Sequence, residues 1–291
     1  MKPVSAAASV HSSHAVFLNV GCGHRFSRDP RWVNIDLVPA GPEVRPVDAA
    51  IGLPFLDNTF AAVYHSHVLE HLDGGAGRKL LRECFRVLQP GGVVRVVVPD
   101  LERIATGYLE RLTDARSGRE GARRRYTWAV LELCDQMTRR QSGGGVLEFL
   151  ADPESEGRAY AEERCGAETR AVITTLDRSA QKAAAPLHRR TLRVRARELR
   201  ERLIRQLLGK DYRALQVGRF AVCGELHRWM YDSFSLTELL KDIGFHSVQV
   251  RSAVESYIDG WAAFALDADA SAVPHKPDSL FMEACKPTVT Q

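Results

Sequence analysis

The sequence predicts an α/β fold built on a parallel sheet, and three features predict it. Short, continuously apolar runs alternate with amphipathic helical patterns through the first hundred residues. The most β-branched run of the chain, Val93 to Val98, directly follows a Pro-Gly-Gly stop. After a long helical stretch, the strand pattern returns near the C-terminal end.

The elements follow in order. Val16 to Val20 reads as a buried strand stopped by Gly21-Cys22-Gly23. Val33 to Leu37 is a second strand, closed by Pro39 and Gly41-Pro42, and Glu43 to Val47 a brief third. Phe60 to Tyr64 is the fourth, entered through the turn Leu56-Asp57-Asn58. Arg78 to Leu88 reads as a helix, with Leu80, Leu81, Cys84, Phe85 and Leu88 on one stripe and Gln89-Pro90-Gly91-Gly92 as its stop. Val93 to Val98 is the fifth strand, ended by Pro99-Asp100. From Leu101 to about Phe220 strand signals are scarce and Arg-rich helical patterns dominate, broken at Ser142-Gly143-Gly144-Gly145; Thr191 to Leu208 is the longest helix candidate. A helix capped by Ser235, with Glu238 at the capping-box position, carries Leu236, Leu239, Leu240 and Ile243 and stops at Gly244. His246 to Val250 and Leu280 to Cys285 complete a set of seven strands.

With 45% apolar and 26% charged residues, the composition is that of an ordinary globular protein. No apolar stretch approaches the ~20 residues of a membrane helix, so no membrane partner is expected. Residues 1–14 lack an apolar core of the signal-peptide kind and read as a flexible leader. Six scattered cysteines without a C-x-x-C pair suit reduced thiols in a cytoplasmic protein. The net charge of +4 is uneven: residues 111–220 hold about 24 Lys/Arg against about 15 Asp/Glu, and the remainder is slightly acidic. An anionic partner is therefore to be sought in that segment.

The glycines after the first strand let a ligand approach the backbone at the carboxyl edge of the sheet, where such folds bind cofactors. Asp36, ending the second strand, can accept hydrogen bonds from both hydroxyls of a ribose. The interval from Gly23 to Asp36 is shorter than the ~20 residues of a dinucleotide fingerprint, and the third glycine is missing. Both departures argue against a pyrophosphate and for an adenosine without one.

Several ordered blocks carry a specific resemblance. Leu18-Asn19-Val20-Gly21-Cys22-Gly23, Trp32-Val33-Asn34-Ile35-Asp36, Leu53-Pro54-Phe55-Leu56-Asp57-Asn58-Thr59-Phe60, His67-Val68-Leu69-Glu70-His71-Leu72 and Arg82 to Gly92 resemble, in sequence order, the blocks of class I S-adenosylmethionine-dependent methyltransferases of the type-11 kind. Leu236 to Phe245 resembles the late helix of the same family. The resemblance implies a Rossmann-like methyltransferase sheet of seven mostly parallel strands. The S-adenosylmethionine-binding domain would comprise residues 15–110 and 221–291, and residues 111–220 would be a helical, Arg-rich insertion acting as an acceptor lid before the late strands. Carried over position by position, Gly21 and Gly23 would pass beneath the methionine and ribose. Asn19 stands where many relatives have an acid that meets the cofactor's ammonium, and Asp36 would hold the ribose. Asp48 and Ala49 would meet the adenine, and His65 and Ser66 would border the sulfonium. Ala61 replaces the Asp that many relatives carry in the fourth strand.

His65, His67 and His71 invite a metal reading, because His67 and His71 could share a helix face. No carboxylate or Cys at a clear ligand spacing joins them, so no metal ligand is predicted. A proton-accepting role is expected of His67 instead. The segment Gly224 to Asp232 suits the floor of an acceptor pocket, with His227 or Tyr231 orienting or deprotonating the acceptor and Arg228 pairing with a carboxylate. The expected activity is methyl transfer to an anionic small molecule, peptide carboxylate or glycan. Two other classes stand beside it: a nucleic-acid methyltransferase, disfavoured by the lack of interleaved aromatics in the basic segment, and a silent scaffold. A homodimer is compatible with the sequence.

Overall fold

The computed structural model describes residues 16–153, 156–182 and 192–288. The expected leader, 1–14, lies outside the described residues. Seven strands form one sheet: β1 Phe17–Val20, β2 Trp32–Asp36, β3 Val44–Pro46, β4 Phe60–Ser66, β5 Leu88–Pro99, β6 His246–Arg251 and β7 Ser279–Cys285. Their order is β3-β2-β1-β4-β5-β7-β6. Strands β1 to β5 pair in parallel, and β7 runs antiparallel between β5 and β6. The chain winds outward from β1 to β3, then returns to the other side of β1 with β4. The sheet's switch point therefore lies between β1 and β4, and its crevice at their carboxyl ends.

The helices are α1 Gly74–Val87, α2 Leu101–Arg116, α3 Ala122–Thr138, α4 Gly144–Ala151, α5 Glu156–Cys165, α6 Ala167–Lys182, α7 Leu192–Leu208, α8 Tyr212–Ala221 and α9 Ser233–Ile243. Contacts divide the chain into two units, 1–107 with 164–166 and 227–291, and 108–163 with 167–226. The first holds the whole sheet. The second holds helices and a short 3-10 turn among its described residues. No helix of the described residues is long and apolar enough to cross a membrane.

The two sheet faces are packed differently. On one, Leu18, Val20, Ile35, Val63, Val94, Val96 and Val98 meet Leu80, Leu81, Cys84 and Val87 of α1 and Leu236 and Leu240 of α9, all fully buried. This face is an ordinary helix-on-sheet layer driven by apolar burial. On the other, Trp32, Tyr64, Val93, Val97 and Phe281 meet Trp261, Phe264 and Leu266, from a segment of turns rather than a long helix. Among them lies Arg95, wholly buried. Its guanidinium donates to Asp267 Oδ2 (2.7 Å), Glu283 Oε1 (2.8 Å) and the carbonyls of Glu255 (2.9 Å) and Ser252 (2.8 Å). Tyr64 donates to the second oxygen of Asp267 at 2.6 Å.

Several boundaries differ from expectation for local reasons. Helix α1 starts four residues early, because Asp73 caps it by accepting from Ala76 N at 2.8 Å. Strand β5 begins at Leu88, and Pro90-Gly91-Gly92 is carried within it at an irregularity opposite Phe60/Ala62 instead of standing as a separate stop. The cap of α9 is Asp232, not Ser235. Ser235 occupies the third helical position and completes the box back to Asp232, while Glu238 pairs with Lys241.

A polar brace explains two of the sequence blocks. Glu83 on α1 accepts from Leu53 N (2.9 Å), and Arg86 on the next turn of the same helix pairs with Glu83 (2.7 Å). Arg86 also donates to the carbonyls of Leu53 (2.9 Å) and Phe55 (2.8 Å) and to Asp57 (2.7 Å). The helix thus grips the loop leading into β4. Hydrogen bonding from Arg86, against a smaller effect of burial, holds the Glu83 carboxyl down at about 2, below its ordinary 4.5. The folded state therefore binds this proton less readily than the unfolded chain. The brace's contribution is complete above pH 4.5 and is lost as the pH falls toward 2. Glu83→Gln is expected to lower stability at neutral pH and to flatten the loss between pH 4.5 and 2, read by urea unfolding across that range.

Candidate active site

At the carboxyl end of β1 the chain turns through Gly21 (φ 64°) and Gly23 (φ 52°), both left-handed. The amides of Gly21 and Cys22 donate to the Ile35 carbonyl at 2.8 and 3.1 Å, strapping the loop across the end of β2. The two glycines serve different ends. A Cβ at Gly21 would run into Val68 Cγ2, so this glycine permits the loop to touch the segment after β4. A Cβ at Gly23 would meet nothing within 4 Å, so there the backbone faces open space that a ligand can enter.

Asp36 completes this edge. Its Oδ2 accepts from Gly23 N (2.8 Å) and its Oδ1 from Val38 N (2.9 Å). A carboxylate offers about four lone pairs, so each oxygen keeps capacity for one further donor, the pattern two adjacent hydroxyls would use. Burial, aided by the Asp36 charge, pushes the Cys22 thiol up to about 12 and keeps it protonated. Asp48 closes a turn by accepting from Ala50 N at 3.0 Å, and Ala49 packs on the apolar core beside it.

Asn19 departs from the expected cofactor contact. It is 1% exposed, and its Nδ2 donates to Asn34 Oδ1 (3.2 Å) and the Arg25 carbonyl (3.4 Å). Asn34 in turn donates to Ser27 O at 2.8 Å. The two amides hold the glycine loop from beneath, because a buried amide must spend its donors on the protein.

Three histidines gather at the end of β4. His65 stands opposite Val20, wholly buried, and burial pulls its imidazole down to about 4. It is neutral at physiological pH. Ser66 is half-buried opposite Val97. His67 adopts φ 55°; its Nε2 lies 2.9 Å from Ser279 Oγ on β7 and its Nδ1 2.9 Å from Glu70 Oε1. Both ring nitrogens are engaged, so His67 orients its neighbours instead of standing open as the expected base.

A helical turn, Leu69–His71, follows. Its Glu70 is fully buried; Oε1 faces His67 Nδ1 at 2.9 Å, and Oε2 has no hydrogen-bond partner among the described residues. Burial would raise its carboxyl, but the surrounding imidazoles, His67 foremost, with His71 and His227, hold it down at about 2. The Glu70 carbonyl accepts from Arg228 N (2.6 Å) and Trp229 N (3.2 Å), which fastens the returning chain onto the turn. That bond brings His227 to His71, with ring centroids 4.9 Å apart and edge-on. The carboxylate that sequence spacing did not join to these histidines is therefore Glu70, and His227 comes to it from 157 residues away.

Tyr231 does not floor an open pocket. It is 3% exposed within the helix-side core, its carbonyl accepts from Leu101 N at 2.9 Å, and burial together with the Glu70 charge pushes its hydroxyl up to about 12. A phenol held there is a poor proton acceptor. Sequence reasoning missed Glu70, Val68 and Ser279. The spacing of His67 and Glu70, three apart, was the available signal for the first. Nothing local marks Ser279.

The geometry is that of an open α/β domain: a mostly parallel sheet with a glycine turn after β1 and a carboxylate at the end of the neighbouring β2. Residues 31–96 match the sequence model of the family described as "Methyltransferase domain". The match lies within the α/β unit and covers less than half of the chain, so the likeness to methyltransferases is a likeness of that segment. A comparison with curated proteins finds no match. Among solved structures, the chain is similar to the [4+2]-cyclase SpnF at 27% identity over 28% of this chain and 38% of that one, with a TM-score of 0.25. It therefore spans well under two thirds of that protein's length. It is also similar to a methyltransferase of Thermotoga maritima, described as a possible histamine N-methyltransferase (11% identity, 94% and 82% covered, TM-score 0.38). A third likeness is to a methyltransferase of Archaeoglobus fulgidus (13% identity, 94% and 86% covered, TM-score 0.38).

The strain at Gly21 makes a direct test. Gly21→Ala places a side chain at positive φ against Val68 and is expected to cost about 1–3 kcal/mol in denaturant unfolding. The same variant should weaken S-adenosylmethionine binding in calorimetry, because the loop must retreat from the turn that follows β4.

Proposed function

We propose that the protein transfers the methyl group of S-adenosylmethionine to an oxygen of an anionic acceptor, a small molecule, a peptide carboxylate or a glycan. The observation that carries the cofactor part is the pairing of Gly23 with Asp36 at the carboxyl ends of β1 and β2, where open space and spare lone pairs coincide. Gly21 and Gly23 would underlie the methionine and ribose, Asp36 would take the ribose hydroxyls, and Asp48 and Ala49 would meet the adenine. His65 and Ser66 would border the sulfonium, His65 as a neutral ring that adds no charge beside a cation. The acceptor lone pair forms the new bond to the methyl carbon as the carbon–sulfur bond breaks, with the electron pair leaving on sulfur. Alignment supplies much of the rate in such an in-line displacement.

The anionic acceptor is inferred from the charge of the helical segment, about 24 basic against about 15 acidic residues across 111–220. Within that unit several arginines are already spent on ion pairs, Arg124 with Asp152, Arg139 with Asp135 and Glu225, and Arg219 with Glu201. Arg193, Arg195 and Arg197 belong to helix α7, and their side chains lie outside the described residues.

Two measurements test these readings. Asp36→Ala should weaken S-adenosylmethionine binding by about ten- to a hundredfold, the worth of hydrogen bonds to a charged group. Unchanged affinity with an unchanged melting temperature would remove Asp36 from the site. Reversing Arg193, Arg195 and Arg197 to Glu should raise the KM for an acidic acceptor while leaving cofactor affinity in place. An unaltered KM would move acceptor selection elsewhere.

A further inference from the structure

We propose that Glu70, His71 and His227 form a binding site for one divalent first-row transition-metal ion, which holds the acceptor oxygen for methylation. The inference deepens the methyltransferase reading and rests on it for the ion's role, though not for the ion's binding.

The first observation is convergence. One ligand atom from each of the three residues lies within 4.8 Å of the other two. A tetrahedral ion with bonds of about 2.1 Å sets its ligands about 3.4 Å apart, so small side-chain rotations close the set. Two imidazoles and one carboxylate are a donor set used by zinc and by non-haem iron, with open positions left for water or substrate. Nitrogen donors disfavour magnesium and calcium, which take oxygen.

The second observation is the state of Glu70. The carboxylate is wholly buried, with the His67 ring at Oε1 and an Oε2 that has no hydrogen-bond partner among the described residues, a state that is costly unless positive charge is held against it. A divalent ion supplies that charge and leaves both imidazoles neutral, the form in which they ligate.

The third is that the scaffold is built. Glu70 and His71 share one helical turn, and the Glu70 carbonyl pins Arg228 and Trp229 beside it, which fixes where His227 starts. His67 contacts Glu70 Oε1 through one ring nitrogen and Ser279 Oγ through the other. It serves as a positioning residue that orients the carboxylate, the support that metal ligands commonly receive from a second layer. His67 and Tyr231 were the expected proton acceptors, and both are otherwise engaged or buried; a metal-bound acceptor needs neither.

The location suits the chemistry. Val68, immediately before the turn, touches Gly21 of the methionine-side loop, so the ion would sit next to the donor edge of the sheet. An acceptor hydroxyl bound to the ion loses its proton to solvent at a lower pH than it would free. The resulting oxygen lone pair then bonds to the methyl carbon as the carbon–sulfur bond breaks onto sulfur.

The test uses the full chain, stripped with a chelator and titrated with Co(II), a spectroscopic stand-in for zinc. One equivalent should bind and give visible ligand-field absorption. His71→Ala and His227→Ala should each weaken it by more than about a hundredfold, the upper end of what losing even a supporting residue costs. S-adenosylmethionine affinity, measured on the same samples, reports folding and the cofactor reading separately. Co(II) binding without cofactor binding would leave the metal site standing and sink the methyltransferase role of the ion. Cofactor binding with no stoichiometric Co(II), or Co(II) binding untouched by the His227→Ala change, would overturn the proposal.

Discussion

A guanidinium sealed inside the sheet domain governs how this protein is put together. Arg95 sits on β5 with no exposed surface, and a charge so placed must be fully paired and hydrogen-bonded to be tolerated. Its partners come from the far end of the chain: Asp267, Glu283 and the carbonyls of Ser252 and Glu255. Trp261 covers the guanidinium face, with the ring centroid 4.5 Å away. Satisfying one arginine therefore dictates that residues 252–267 lie across the second face of the sheet and that β7 enters beside β5. That entry, antiparallel, also delivers Ser279 to His67.

The glycine-turn edge of the sheet depends on a different constraint, the close approach of two loops. Gly21 allows the turn after β1 to touch Val68 after β4, and the buried amides of Asn19 and Asn34 hold that turn from below. Asp36 then needs only to reach Gly23 to be aligned. Function is thus placed on loops whose positions are set by a rigid sheet, the usual division of labour in open α/β folds. The turn that carries Glu70 and His71 begins one residue beyond Val68, so the two halves of the site share a single point of contact.

Much of this was legible in the sequence. The glycine turn, Asp36 and the positions of the first five strands along the chain follow from local patterns, because a buried parallel strand is a short apolar run and its stop is a turn residue. The brace between Glu83 and Arg86 was visible only as a repeated block of letters. Its purpose, gripping the loop before β4, emerged when helix and loop came together. The cap at Asp232 was misplaced by three residues because Asp and Ser at that spacing both satisfy capping chemistry, and backbone geometry chooses between them.

The sequence alone determined the class of fold, the uneven charge, and the glycine turn with the carboxylate that ends β2, since each depends on residues close together in the chain. Tertiary structure alone decided which ionisable groups are available. It turned Asn19 inward, engaged both nitrogens of His67 and buried Tyr231. It also carried His227 to His71 across 156 residues through the Glu70 carbonyl. The reason is physical: the protonation and reach of a side chain depend on its solvation and partners, and those belong to the packed fold, not to spacing along the chain.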